Sequence, residues 1–258
     1  MIKVLFTILG IFALNTANTT LVINAPENGE AGIVYYGPKI GKADMDKLAA
    51  AGYHAQGLYP AYGLKGTTET AIAVTQADGN KTLKLDVCSV EEGSWEGGRT
   101  LTVISKDPAY PITVRNVFRS FEEQDMIETW AEVTNGAKAT KKAPGTVVLN
   151  RFDSGCLPIR VGDVWISSIY GTWANEGRVA TEKLERGYKV IKNIDGVRNS
   201  HTAHSEVMIS LDGKPQENQG RVVGAVLCWS GNFRMTVDTQ GKSVHRLVAG
   251  IDDTNSAY

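Results

Sequence analysis

The chain has 258 residues, 42% of them hydrophobic, so it is long enough to bury one large apolar core or two modest ones. Its 27 basic and 28 acidic residues leave a formal net charge of −1 at pH 7. This balance gives no electrostatic reason to expect a nucleic acid or an anionic membrane surface as a partner.

The first 17 residues have the composition of a cleavable export signal. Lys3 supplies a positive start, an apolar run extends from Val4 to Leu14, and small or polar residues occupy positions 13–17. The run is too short for a stable membrane anchor, and no later segment is long and apolar enough to span a bilayer. We therefore expect residues 1–17 to be a signal peptide and the chain to be exported, to the periplasm or beyond. The alternative is that the run forms a buried first strand.

A short helix is expected over residues 43–51. This segment contains Met45, Leu48 and four alanines, and Gly52 follows its last residue. Asp44 or Asp46 near the start is a plausible cap, and a glycine just past the end is a common stop signal.

Beyond the helix, the dominant hydrophobic period is two, which is typical of half-buried antiparallel strands. The alternation is clearest at residues 83–87 and 127–133, and similar runs predict strands at 101–104, 112–118, 146–150, 190–194 and 222–229. Turn residues separate these runs at 78–80, 135–136, 212–213 and 230–232. The pattern predicts an all-β fold, a large antiparallel β-sandwich (a supersandwich) with one short helix, as a single domain over residues 18–258.

The three cysteines, Cys88, Cys156 and Cys228, show no CxxC spacing. Such a low, odd count argues against a disulfide framework and against a zinc site. Each cysteine lies in or beside an apolar stretch, so we expect three buried free thiols. A single bridge between Cys156 and Cys228 is the alternative in an oxidising compartment.

Candidate catalytic and metal-binding groups are sparse. His201 and His204 form a His-x-x-His pair, but an offset of three on a strand places them on opposite faces, so they cannot share one ion. Four acidic residues stand alone or in turns, where aspartates are usually solvated: Asp153, Asp163, Asp252 and Asp253. We therefore expect no cofactor, no metal site and no catalytic residue in this chain.

Several segments, in this order along the chain, carry a family resemblance: Gly32–Lys39 (GIVYYGPK), Tyr59–Gly63 (YPAYG), Ala71–Gly79 (AIAVTQADG), Ile169–Trp173 (IYGTW), Asn199–His201 (NSH), Gly220–Val226 (GRVVGAV), Ser230–Phe233 (SGNF) and Arg246–Ile251 (RLVAGI). Together they resemble the amino-terminal domain of glycoside hydrolase family 36, the family of bacterial and fungal α-galactosidases. In that family a β/α barrel follows the domain and supplies both catalytic aspartates. We therefore expect residues 18–258 to correspond to the amino-terminal domain alone, without the catalytic barrel.

The resemblance implies a role within a larger, retaining α-galactosidase that releases terminal α-D-galactose from oligosaccharides. The chain would shape the sugar pocket, pack on the catalytic β/α barrel and support homo-oligomer contacts, and would be inactive alone. A stand-alone carbohydrate-binding or interaction module is the alternative.

Trp173 is the residue that the resemblance assigns to substrate binding. It matches a family tryptophan that lines the sugar subsite, where an indole packs against the apolar C–H face of galactose. The alternative is an aromatic side chain in the core of the sandwich.

Overall fold

The computed structural model describes residues 5–7, 10–50, 56–64, 69–138, 145–160, 162–196, 202–240 and 244–252. The chain forms two compact units, Met1–Asn150 and Arg151–Tyr258. Strand β11, Val148–Arg160, runs across the boundary between them. The sequence shows no linker there because the boundary lies inside a continuous strand rather than in an exposed connecting segment.

The first unit contains two antiparallel sheets. A five-stranded sheet has the order β1-β7-β8-β9-β10, and a four-stranded sheet has the order β2-β3-β4-β5. Their strands, with β6, are β1 Leu5–Thr7, β2 Gly10–Asn15, β3 Thr19–Ala25, β4 Gly32–Pro38, β5 Gln56–Gly57, β6 Ile72–Thr75, β7 Asp86–Trp95, β8 Gly98–Lys106, β9 Ile112–Phe121 and β10 Met126–Asn135.

The two sheets of this unit face each other across one apolar core. From the four-stranded sheet, Phe12, Leu14 and Ile23 enter the core, and from the five-stranded sheet Leu101 and Phe118 meet them. These side chains are 6% exposed or less. Burying such faces removes apolar area from water, which supplies the main driving force for the pairing of the sheets.

The segment expected to be an export signal contains β2. Its residues alternate between buried and half-buried, with Phe12 and Leu14 on the core side and Ile11 and Ala13 on the other. Strand β2 pairs with β3 in register from Gly10↔Ala25 to Asn15↔Thr20. The chain described here therefore uses residues 10–15 as a core strand, while export itself stays a prediction.

The expected helix is present as α1, Lys42–Ala50. Its first turn is closed by the carbonyl of Gly41, which accepts from the N–H groups of Asp44 (3.1 Å) and Met45 (3.2 Å). Gly41 thus occupies the N-cap position. Asp44 lies in the first turn, where a negative charge interacts favourably with the positive end of the helix dipole. Gly52, the expected stop, lies outside the described residues. No helix in the described part of the chain is both long and apolar enough to cross a membrane.

The second unit also contains two antiparallel sheets. One has the strands β14-β17-β18-β11 side by side, and the other has the order β13-β12-β15-β16. Their strands, besides β11, are β12 Trp165–Tyr170, β13 Arg178–Lys183, β14 Tyr188–Asn193, β15 Glu206–Ser210, β16 Val222–Val226, β17 Phe233–Asp238 and β18 Val244–Ile251. Ile166 and Ile209 of one sheet share an apolar core with Phe233, Met235 and Leu247 of the other.

The all-β prediction with a short helix is confirmed, and each predicted strand overlaps an observed one, with those at 101–104, 112–118 and 127–133 lying wholly within it. The run at residues 83–87 overlaps only in part, because the strand begins only at Asp86 and continues to Trp95. Leu83 and Leu85 are nevertheless buried, so their alternation reflects burial of an extended segment outside the hydrogen-bonded sheet. The runs at 146–150, 190–194 and 222–229 also extend beyond the observed strands, since β11 begins at Val148, β14 ends at Asn193 and β16 ends at Val226.

Candidate functional site

The topology of the sheet β13-β12-β15-β16 brings three loops to one edge. Strands β12 and β16 both pair antiparallel with β15, so they run in the same direction and end at the same edge of the sheet. Strand β12 ends at Tyr170, β16 ends at Val226, and β15 begins between them at Glu206. We call Trp173, His204 and Trp229, which lie in these three loops, the aromatic edge.

Trp173 lies at the tip of the hairpin between β12 and β13. The turn is closed from both sides, since Asn175 N–H donates to the Thr172 carbonyl (3.0 Å) and Thr172 N–H donates to the Asn175 carbonyl (3.3 Å). Ala174 takes the left-handed conformation, with φ of 58°. The Trp173 side chain is 83% exposed, so it is not part of the apolar core.

The hairpin that presents Trp173 is braced by its neighbours. A Cβ added to Gly171 would lie 2.8 Å from the Cα of Glu176, so only glycine lets the two backbones approach this closely. The Glu176 carboxylate accepts from the Ala174 N–H (3.1 Å), and Arg178 Nε donates to Asn175 Oδ1 (2.6 Å). The exposed indole therefore stands on a turn with a defined backbone.

His204 lies between the two tryptophan loops. Its backbone N–H donates to the carbonyl of Ile169 (3.0 Å), which ties the start of β15 to the end of β12. Imidazole Nδ1 lies 3.5 Å from Glu206 Oε1, and Nε2 is buried with no hydrogen-bond partner among the described residues. His201 lies outside the described residues. In the described part of the chain no group of three or more His, Cys, Asp or Glu side chains could hold a metal ion.

Trp229 follows β16, whereas its apolar neighbours predict that it ends a strand. In the structure it lies beyond the strand, where its indole N–H donates to the carbonyl of Asn232 (3.1 Å). A Cβ on Gly231 would lie 2.7 Å from Nε1 of this ring, so the indole rests directly against the glycine. The Trp229 side chain is 48% exposed. A tryptophan directly before a Ser-Gly-Asn turn is the sequence signal that could have identified it.

The acidic residues do not all occupy solvated turns as expected. Asp153 is buried in β11, and its Oδ2 accepts from Arg151 Nε (2.6 Å). Asp252 is also buried, at 4% exposed. Asp163 fits the expectation, since it is exposed and pairs with Lys183 (3.0 Å). A buried carboxylate beside a guanidinium avoids the large cost of an unpaired charge, so the Arg151–Asp153 pair is a structural ion pair.

The cysteines are free thiols in the structure, but only Cys156 is buried. The expectation of three buried thiols is therefore wrong for Cys88 and Cys228, both of which are exposed. Cys88 lies at an irregular register between β7 and β8, where the pairing shifts between Val87 and Ser89. Cys228 lies in the loop after β16, beside Trp229.

Comparisons with known proteins agree with the family resemblance. "Probable alpha-galactosidase C" of Aspergillus flavus is 25% identical over 166 residues, which are 64% of this chain and 21% of the relative. The crystal structure of the α-galactosidase from Lactobacillus brevis superimposes with a TM-score of 0.82 at 23% identity, covering 96% of this chain and 37% of that one. A family 36 α-galactosidase variant from Geobacillus stearothermophilus, solved in complex with raffinose, gives a TM-score of 0.83 at 17% identity over 96% of this chain and 38% of its own.

These structural likenesses establish the fold, and the chain spans well under half the length of the relatives it matches. The family model described as the glycosyl hydrolase family 36 N-terminal domain matches residues 29–258. Because that match covers most of the sequence, the chain belongs to glycosyl hydrolase family 36, as its N-terminal domain.

Proposed function

We propose that this chain is the non-catalytic N-terminal part of an α-galactosidase that hydrolyses terminal α-D-galactose from oligosaccharides. Family membership supplies the reaction, and the exposed indole of Trp173 on its braced hairpin is the observation that carries the role of this chain. In this proposal Trp173 contributes one wall of the sugar pocket. The domain would be a large antiparallel β-sandwich, which the two-layered core of each unit supports.

Stacking on Trp173 has a definite energetic expectation. A pyranose ring presents an apolar C–H face that fits an indole. Removing about 60 Å² of apolar surface from water contributes roughly 1.5 kcal/mol at about 25 cal/mol per Å². That free energy corresponds to about a tenfold gain in affinity.

The chemistry itself is assigned to a partner domain. A retaining glycosidase needs two carboxyl groups about 5–5.5 Å apart, one as nucleophile and one as acid. In this proposal both belong to a catalytic β/α barrel, and the present chain has no activity without it.

We also propose that the chain contributes to homo-oligomer contacts. The strand registers place four exposed apolar side chains on one face of the sheet β13-β12-β15-β16: Val179, Met208, Val222 and Val226. A patch of this kind on a soluble protein commonly marks a surface that is covered in an assembly.

Export through a leader at residues 1–17 is proposed from Lys3 and the apolar run that follows it. Processing near Ala17 would remove β2 and its two core side chains. Protein made in an exporting host and protein made in the cytosol would then differ in stability as well as in mass.

The second candidate is a stand-alone carbohydrate-binding module. It is favoured by the same exposed indole, which needs no catalytic group to bind a sugar. The two candidates differ in the gene: an in-frame barrel with a Lys-Trp-Asp segment beyond the Tyr258 codon supports the first, and its absence supports the second.

The test of the first candidate is enzymatic. The purified chain should not hydrolyse 4-nitrophenyl α-galactoside above buffer, whereas the full-length enzyme should. In that enzyme, Trp173→Ala should weaken galactose inhibition about tenfold. Tyr188→Ala, which truncates an aromatic residue 49% exposed on β14, is the matched control and should leave inhibition unchanged. Unchanged inhibition in the Trp173→Ala enzyme would remove the sugar-binding role.

A further inference from the structure

We propose that Trp229 is a second sugar-stacking platform on the aromatic edge, so that the edge binds an oligosaccharide across two indoles rather than a single galactose. This inference rests on the proposed sugar-binding role of Trp173 and extends it to a substrate class. The ligand is a neutral oligosaccharide of two or more pyranose units.

The Trp229 side chain is held in place before any ligand arrives. The carbonyl of Asn232 accepts both the indole N–H (3.1 Å) and the backbone N–H of Asp252 (3.3 Å). The side-chain oxygen of Asn232 accepts from the N–H of Gly196 (2.8 Å), which fixes the same turn from another side. A ring that is already ordered loses little conformational entropy on binding, so its contact area is converted more fully into affinity.

The exposed part of Trp229 offers stacking rather than hydrogen bonding. Its only donor is the indole N–H, and that group is already engaged by Asn232. The ring rests against Gly231 and remains 48% exposed. A large apolar surface with its polar atom satisfied is suited to the C–H face of a pyranose.

The sheet sets the separation of the two strand ends that lead into the loops of Trp173 and Trp229. Strands β12 and β16 lie on either side of β15, which places their ends about 10 Å apart at about 4.8 Å per strand spacing. Trp173 and Trp229 each follow the last residue of one of these strands by three positions. Between them lies Glu206, whose side chain is 43% exposed and whose carboxylate can accept hydrogen bonds from sugar hydroxyl groups. Two apolar platforms with a polar group between them match an oligosaccharide.

The other three tryptophans are already engaged by cations. The Arg119 guanidinium lies 4.8 Å from the ring centroid of Trp95 and 5.5 Å from that of Trp130. The ammonium of Lys214 lies 5.9 Å from the ring of Trp165. These three rings gain a cation–π contact within the protein, so they serve as internal controls for sugar binding.

The experiment uses the purified 258-residue chain labelled with ¹⁵N, so that each of its five tryptophans gives an indole N–H signal. Raffinose and, separately, galactose are titrated while these signals are followed. Raffinose should shift the signals of Trp173 and Trp229 and leave those of Trp95, Trp130 and Trp165 in place. Galactose should shift the Trp173 signal alone.

Variants then separate the two indoles. Trp229→Ala should weaken raffinose binding about tenfold, the factor that about 1.4 kcal/mol gives, and leave galactose binding unchanged. Gly231→Ala keeps the ring but displaces it, and should cause a similar loss. Trp130→Phe is the control and should change neither affinity. The titrations of the unmodified chain do not depend on any variant, so they test the proposal even if a variant fails to fold.

The outcomes distinguish this inference from the proposed function. Raffinose shifts at Trp173 without any at Trp229, or unchanged raffinose affinity in folded Trp229→Ala protein, would overturn the second platform and leave the first intact. No shift of either signal with either sugar at concentrations up to 100 mM would overturn the sugar-binding role of the isolated edge altogether.

Discussion

Truncating Phe12 tests whether the first apolar run is part of the fold. Phe12 lies in β2, is 6% exposed, and packs in the core of the first unit with Ile23, Leu101 and Phe118. Replacing it with alanine removes the buried phenyl ring and leaves a cavity between the two sheets. The neighbours lie on paired strands and cannot collapse fully into the space.

The size of the effect follows from measured core truncations. Phe→Ala in a well-packed core costs about 3–5 kcal/mol. Since whole domains are stable by about 5–15 kcal/mol, this is a large fraction of what holds the unit together. With a urea dependence of about 2 kcal/mol per molar, the unfolding midpoint should fall by about 1.5–2.5 M.

The assay is urea unfolding of cytosolically expressed, unprocessed protein. Far-ultraviolet circular dichroism follows the transition, and amide exchange in β3, which pairs with β2, localises the loss to the first unit. Ile11→Ala is the control, because Ile11 is half-buried on the opposite face of β2 and should cost roughly 1–2 kcal/mol. Equal and negligible effects of the two substitutions would show that β2 contributes nothing to the cooperative fold.

Three further predictions concern the chain terminus, the pH response and the hairpin. Protein recovered from an exporting host should begin between residues 13 and 20 by mass spectrometry, and an intact initiator methionine would contradict the leader. The bidentate hydrogen bonds from Arg221 lower the pKa of Asp212 from 3.8 to about 2, so this pair stabilises the fold above pH 3.8 and its contribution disappears as the pH falls through 2. In Asp212→Asn protein the melting temperature should therefore change less with pH between these two values. An unchanged dependence of melting temperature on pH would refute the linkage. Gly171→Ala should destabilise the second unit by about 1–3 kcal/mol, because its Cβ would meet the backbone of Glu176, and an unchanged melting temperature would show that the turn adapts.

The strand content was predictable because burial of one face imposes a period of two on the sequence. At residues 127–133 this period coincides with β10, which pairs with β9 over its whole length. At residues 83–87 the same period marks an extended, buried segment that joins the sheet only at Asp86. Alternation therefore indicates that one face of a segment is buried. Whether that segment also pairs with a neighbouring strand is decided by the tertiary fold.

The first apolar run shows a similar ambiguity. A signal peptide needs a short, uninterrupted apolar run, and a strand covered on both faces produces the same composition. Strand β2 does alternate in burial, but Ile11 and Ala13 on the less buried face are apolar as well. Composition alone cannot separate the two roles where both faces of a strand carry apolar residues.

The candidate site was predictable only in part, because it is assembled by sheet order. Trp173 could be identified from its local Ile-Tyr-Gly-Thr-Trp step, which lies within one hairpin. The Ser-Gly-Asn turn beside Trp229 is a local signal for that residue, but its relation to Trp173 could not be predicted, since it depends on the position of β15 between β12 and β16.

The order of the strands also constrains how the edge can work. Trp173 and Trp229 are separated by 55 intervening residues in sequence, yet both are anchored to one rigid sheet through strands that share the neighbour β15. The backbone hydrogen bonds of the sheet fix the spacing of the two strand ends, and the turn contacts of Trp173 and Trp229 hold each loop, so a ligand need not order the protein in order to contact both indoles. A change that alters the pairing of β15 would move the two rings relative to each other without touching either one. Specificity for oligosaccharide length would then be a property of the sheet, with the tryptophans supplying only the contact surface.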